Sequence, residues 1–162
     1  LNLVANIFEN LYQKGLVNNL DSIKGIEQTK WHGRFERIGQ NPEFLIDAAH
    51  NEHALQALVI ALDEISSVEN RVLVIGISSE KDRQKMAQWI PKLGKTVYLV
   101  DDFYKATPSN ELIKSFSNIK IANKNGYEMK SVLAEVKAAY VDELVVVTGS
   151  IFMIGDAQEL VI

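Results

Sequence analysis

Three short stretches of this chain carry residue types and spacings suited to binding an anionic, hydroxyl-bearing ligand. The first is Asp47-Ala48-Ala49-His50-Asn51-Glu52-His53, between the apolar run Phe44-Leu45-Ile46 and the helical stripe Leu55, Leu58, Val59 and Leu62. An Asp at a strand end is a good acceptor for ribose hydroxyls, the role acidic residues take in dinucleotide folds. His50 falls at a loop-to-helix junction, where free backbone N–H groups and the helix dipole favour anions and an imidazole can donate to phosphate or carboxylate oxygens. The second stretch holds Arg34, in Trp31-His32-Gly33-Arg34-Phe35-Glu36, thirteen residues before Asp47. A guanidinium matches phosphate bidentately. Gly33 permits unusual backbone dihedrals, and Trp31 is a candidate to anchor the segment by burial. The third is Thr148-Gly149-Ser150, after the run Leu144 to Val147, which offers hydroxyls and helix N–H groups to an anion.

Each stretch has a plainer reading. Asp and Ser at strand ends often do no more than cap the following helix, and a Ser150 cap is worth about 1 kcal/mol. Arg34 alone is a surface arginine at a strand start, and His53 a surface or boundary residue of a helix. Asp47, His50 and His53 are spaced like metal ligands, but they complete no known ligand pattern, so no metal site is assigned. Gly94-Lys95-Thr96 is not a phosphate loop: the position five before Gly94 is Trp89, and the segment runs from helix to strand. There is no G-x-G-x-x-G. No nucleophile elbow supports a Ser–His–Asp hydrolase built on His50 and Ser150.

The elements that must position these groups follow from the hydrophobic pattern. Residues 1 to 33 read as a helical lead-in: Leu3, Val4, Ile7, Phe8 and Leu11 share a helical face, Gly15 is a stop, and a short helical piece spans Ser22 to Gln28. From Arg34 onward, strands alternate with amphipathic helices. The expected strands are Arg34 to Ile38, Phe44 to Ile46, Val72 to Ile75, Thr96 to Val100, Asn118 to Ala122 and Leu144 to Val147. Met86, Ile90 and Leu93 form one helical stripe, and Met129, Val132, Leu133, Val136 and Tyr140 another. Such a chain predicts an α/β, Rossmann-like three-layer sandwich with a mostly parallel sheet over residues 34 to 162. Asp47, Ser78-Ser79, Asp101-Asp102 and Thr148-Gly149-Ser150 then share the carboxyl edge, where open α/β folds bind ligands.

The bulk properties narrow the classes. At 162 residues, 47% hydrophobic and 23% charged, the chain suits one soluble domain. A net charge of −4 gives no footprint for nucleic acid, and no cysteine is present for disulfides or thiol chemistry. No run is long enough for a membrane helix, and no signal peptide is evident. The chain begins at Leu1 inside a helix-like pattern, which suggests a piece of a longer polypeptide. A cytoplasmic monomer is expected.

Taken in order, Trp31-His32-Gly33-Arg34, Asp47-Ala48-Ala49-His50-Asn51-Glu52, Lys81-Asp82 and Thr148-Gly149-Ser150 resemble the W-P-G-R, D-G-A-H-N-P, K-D and T-G-S elements of a known family. These mark the C-terminal domain of folylpolyglutamate and dihydrofolate synthases, in the Mur ligase superfamily. The match runs over essentially the whole chain. It departs at His32, Ala48 and Glu52, and none of these removes a charged group. The resemblance implies an ATP-dependent ligase that joins L-glutamate to folate or dihydropteroate through an acyl phosphate. It implies ATP phosphates at Arg34, ribose at Asp47, and the incoming glutamate and γ-phosphate near His50 and Ser150. The phosphate loop and the Mg²⁺ ligands would belong to an N-terminal ATPase domain, so this chain alone is expected to be inactive. A cell-wall Mur ligase and a free-standing Rossmann-like binding module are the alternatives.

Overall fold

The computed structural model describes residues 2–18, 24–25, 28–29, 31–116 and 119–162. The chain forms two compact units, Leu1–His32 and Gly33–Ile162. In the first, α1 (Asn2–Gln13) ends at Gly15, whose φ is 68°. The Gly15 N–H donates to Tyr12 O at 2.9 Å and the Leu16 N–H to Leu11 O at 3.0 Å, the Schellman stop that a residue without Cβ adopts readily. Val4, Ile7 and Tyr12 of this helix are about half exposed. The helical piece expected over 22–28 falls on residues of which only 24, 25 and 28 are described.

The second unit runs β1 (Glu36–Ile38), β2 (Glu43–Ile46), α2 (Glu52–Asp63), a 3₁₀ turn (Val68–Asn70), β3 (Arg71–Ile75), α3 (Arg83–Ala87), α4 (Ile90–Leu93), β4 (Thr96–Leu99), α5 (Ser109–Ser115), α6 (Met129–Ala139), β5 (Leu144–Thr148) and α7 (Ile151–Val161). The strand order is β1-β2-β5-β3-β4. β1 is antiparallel to β2, and every other pairing is parallel. The expected α/β sandwich with a mostly parallel sheet is thus the fold.

The period-two alternation of the strands separates two cores. Leu45, Leu73, Ile75, Leu99 and Val146 face one layer, with Leu55, Leu58, Val59 and Leu62 of α2, Met86 of α3, Ile90 and Leu93 of α4, and Leu112 of α5. Phe44, Ile46, Val72, Val74, Val145 and Val147 face the other, with Met129, Val132, Leu133 and Val136 of α6 and Met153, Ile154, Ala157 and Val161 of α7. Both faces being covered explains why β3 and β5 are buried at every residue, and why Val72–Ile75 and Leu144–Val147 read as unbroken apolar runs. Each buried aliphatic side chain contributes roughly 2 kcal/mol of gross burial energy.

Three local expectations change. Arg34 and Phe35 lie outside β1, because Phe35 takes a φ of 49° that no strand tolerates. The Met86–Leu93 stripe splits into α3 and α4. Pro91 stands at the start of α4; it has no N–H, and its ring would clash with the carbonyl four residues back, at Ala87. Of the strand expected at 118–122, Ile121 makes a single parallel bridge to Val97, and Asn118 lies outside the described residues. No helix among the described residues is long and apolar enough to cross a membrane.

Candidate active site at the carboxyl edge

The strand order decides where the polar loops meet. β2 and β3 lead into α2 and α3 on one face of the sheet, whereas β5, lying between them, leads into α7 on the other. Loops parting to opposite faces open a crevice beyond the strand ends. Backbone and hydroxyl bonds tie the three ends together. The Asp47 N–H donates to Val147 O at 3.0 Å, Gly149 N–H to Ala49 O at 2.9 Å and Gly76 N–H to Thr148 O at 3.3 Å. Thr148 Oγ1 also donates to Ala49 O, at 3.2 Å. Gly149 has a φ of 111°, and a Cβ there would stand 2.4 Å from Gly76 O. Glycine is what lets these two strand ends approach.

Asp47 holds two segments. Its Oδ1 accepts the Ala49 N–H at 2.8 Å and its Oδ2 the Phe35 N–H at 2.9 Å. The Gly33–Glu36 turn is fixed from other sides as well. Gly33 O accepts the Ala48 N–H at 2.8 Å. Glu36 Oε2 accepts the Gly33 N–H at 2.7 Å and Gln158 Nε2 of α7 at 2.5 Å. On this turn Arg34 is exposed and has no hydrogen bond or ion pair with any described residue. The chain therefore presents a free guanidinium on a clamped turn. Each oxygen of the Asp47 carboxylate keeps a lone pair for a further donor.

His50 and Ser150 sit at the starts of two helices. Asn51 caps α2, its side chain accepting the Ala54 N–H at 2.9 Å. His50 Nδ1 lies 2.8 Å from Ala48 O. A carbonyl can only accept, so Nδ1 carries the hydrogen and Nε2 is left for a ligand. Ser150 is 1% exposed. Its Oγ accepts the Phe152 N–H at 3.3 Å, capping α7, and lies 2.8 Å from Ser78 Oγ. No hydrogen bond joins His50 to Ser150, so the two are not an activated nucleophile and its base.

Other strand-end residues prove to be structural. Asp101 Oδ2 accepts the Ser109 N–H at 2.7 Å and Asp102 Oδ1 the Met129 N–H at 2.8 Å, so both acids fasten the starts of helices, α5 and α6. Asp82 caps α3 through the Lys85 N–H. That bond, with the Lys85 ammonium, holds its carboxyl below the usual range. Lys81 and Asp82 line a hollow of about 150 Å³ with Asn51, Glu52 and His53. Trp31 does not anchor its segment by burial, being 73% exposed. His53 is exposed. Among the described residues no three His, Cys, Asp or Glu side chains are placed to hold a metal ion. A larger hollow, about 330 Å³, lies at the opposite, amino edge, around Arg37, Asn41, Glu43 and Asp142, away from all these groups.

Some of the site escapes sequence reasoning. The Phe35–Asp47, Glu36–Gln158 and Ser78–Ser150 bonds span 12, 122 and 72 residues, beyond any local periodicity. Ser78 gave one signal, its place just after a buried strand.

Comparison with known proteins finds residues 33–151 matching the family model "Mur ligase, glutamate ligase domain". A probable bifunctional folylpolyglutamate synthase/dihydropteroate synthase of Haloferax volcanii is 28% identical over 137 residues, 83% of this chain and 16% of that protein. Among solved structures, Escherichia coli FolC in complex with DHPP and ADP superposes with a TM-score of 0.79 at 22% identity, over 93% of this chain and 36% of that one. The Yersinia pestis bifunctional folylpolyglutamate synthase/dihydrofolate synthase with Mn, AMPPNP and L-glutamate bound gives 0.68 at 18%, over 82% and 32%. The chain spans 16 to 38% of the length of the first three curated relatives.

Proposed function

Because this chain belongs to the Mur ligase glutamate ligase domain family and is homologous there to folylpolyglutamate and dihydrofolate synthases, we propose that it is the C-terminal part of an ATP-dependent ligase joining L-glutamate to folate, dihydropteroate or both. The observation that carries this reading is the turn clamped by Asp47, which offers an unpartnered Arg34 guanidinium beside the strand ends that hold His50 and Ser150.

In this reading Arg34 pairs with ATP phosphates and Asp47 takes a ribose hydroxyl on its remaining lone pairs. The ligase transfers the γ-phosphoryl group to the folate or dihydropteroate carboxylate, releasing ADP. The glutamate amine then attacks the acyl phosphate, and inorganic phosphate leaves. His50 Nε2 and the Ser150 hydroxyl stand by the glutamate and the transferring group. Their contribution is positioning and charge neutralisation, the main sources of rate in phosphoryl transfer. Among the described residues no three His, Cys, Asp or Glu side chains are placed to hold Mg²⁺. The reading assigns the cation and the phosphate loop to a preceding ATPase domain, with residues 1–33 as the lead-in and 34–162 as the C-terminal domain.

The test is ADP release by the intact protein carrying this chain. Release that requires both L-glutamate and folate or dihydropteroate supports the reading. Release with a UDP-linked peptide instead would move the chain to the cell-wall branch, and no turnover with either acceptor would sink it.

A further inference from the structure

We infer that Ser78 is a positioning residue for Ser150, and that the two hydroxyls act as one unit presenting a single O–H donor to a substrate oxyanion. The inference rests on the ligase reading above and adds to it a residue.

Ser78 and Ser150 are 5% and 1% exposed, and their Oγ atoms are 2.8 Å apart. A hydroxyl owns one hydrogen and two lone pairs. Ser150 Oγ already accepts the Phe152 N–H, and neither hydroxyl has another partner among the described residues. One of the pair's two hydrogens lies between the oxygens; the other has no acceptor. If Ser78 donates to Ser150, both lone pairs of Ser150 are filled and its hydrogen must point elsewhere. If Ser150 donates to Ser78, the free hydrogen belongs to Ser78. Either way one buried donor is left over, an unfavourable state unless an acceptor arrives. A carboxylate or phosphoryl oxygen at the start of α7 is that acceptor, favoured further by the positive end of the helix dipole.

Capping α7 does not require Ser78, because the Ser150 oxygen receives the Phe152 N–H directly. Yet Ser78 is held firmly. The loop after β3 is zipped to the loop after β4 by the Ser78–Ala106 bridge, by Ser79 N–H to Lys105 O at 2.9 Å and by Thr107 N–H to Ile77 O at 2.8 Å. Lys105 Nζ closes it on Glu80 at 2.6 Å. The Ser78 hydroxyl is thereby fixed against Ser150.

The test compares Ser78→Ala, Ser78→Cys, Ser150→Ala and Ser78→Ala/Ser150→Ala in the intact ligase, with KM for L-glutamate, KM for ATP and kcat measured separately. Ser78→Cys keeps the shape and discards the strong donor, so it separates hydrogen bonding from packing. Both Ser78 variants are expected to cost about fivefold, the worth of one hydrogen bond. The double variant should be no worse than Ser150→Ala alone. A rise confined to KM for glutamate assigns the donor to the amino-acid carboxylate; a fall confined to kcat assigns it to the transferring phosphoryl group. Unchanged kinetics in both Ser78 variants, or independent multiplication of the Ser78 and Ser150 effects, overturns the inference and leaves the ligase reading standing. A wild-type protein without glutamate-dependent turnover removes both.

Discussion

At the scale of single residues, Asp47 is at once a clamp and a candidate ligand. Its two oxygens hold the Phe35 and Ala49 N–H groups, fastening the Arg34 turn to the end of β2. Asp47→Asn replaces one acceptor by an NH₂ group that must face an N–H. The expected cost is about 1–3 kcal/mol, the penalty of an orphaned partly buried donor, readable as a lower urea midpoint with an unchanged slope. An unaltered midpoint would mean that the clamp does not stabilise the turn. The sequence made Asp47, His50, Arg34 and Ser150 visible by residue type and spacing. It did not reveal that Asp47 bonds to Phe35, because that bond depends on a positive φ at a residue with a bulky side chain. Nor did it separate Asp101 and Asp102, which each fasten the start of a helix, from Asp47, whose two oxygens tie the Phe35 turn to the end of β2.

At the scale of elements, the site depends on the close approach of β5 to β3. Gly149→Ala must bring a Cβ within 2.4 Å of Gly76 O at a φ of 111°. The expected loss is about 2–4 kcal/mol, from left-handed strain plus overpacking, measured by urea denaturation. A substitution that costs nothing would show that the strand ends have slack. The loop after β3 also carries an acid-sensitive fastening. Lys105 holds the Glu80 carboxyl below its usual range, and the Lys85 N–H does the same for Asp82. A lowered folded-state value means a stabilising contribution that is complete above the ordinary carboxylate range and is lost as pH falls through the lowered value. Glu80→Gln and Asp82→Asn should therefore lower the urea midpoint near about pH 7 and converge on wild type near about pH 2. A gap that persists in acid would count against both contacts. Element types were legible because buried strands and two-faced helices impose strong periods. The split of α3 from α4 was legible too, in Pro91, had its effect on the Ala87 carbonyl been weighed over the apolar stripe.

At the scale of the whole molecule, the proposed function makes this chain one wall of a crevice. Its described residues offer a guanidinium, a carboxylate, an imidazole and a hydroxyl pair, but no metal-ligand cluster, and it spans about a third of the solved relative in complex with DHPP and ADP. The 162-residue chain alone is expected to show no ligase turnover and only weak ATP binding, by product assay and calorimetry; turnover by the chain itself would contradict the two-part site. The central claim, that this edge serves both ATP and glutamate, is tested most directly by steady-state kinetics of Arg34→Ala and His50→Ala in the intact ligase, with both substrates varied. The expected result is a crossed pattern. Arg34→Ala raises KM for ATP by about tenfold or more, the worth of a charge-assisted contact, and leaves KM for glutamate nearly unchanged. His50→Ala impairs glutamate use or kcat by about tenfold and spares KM for ATP. Unchanged ATP kinetics in Arg34→Ala together with unchanged glutamate kinetics in His50→Ala would contradict the account.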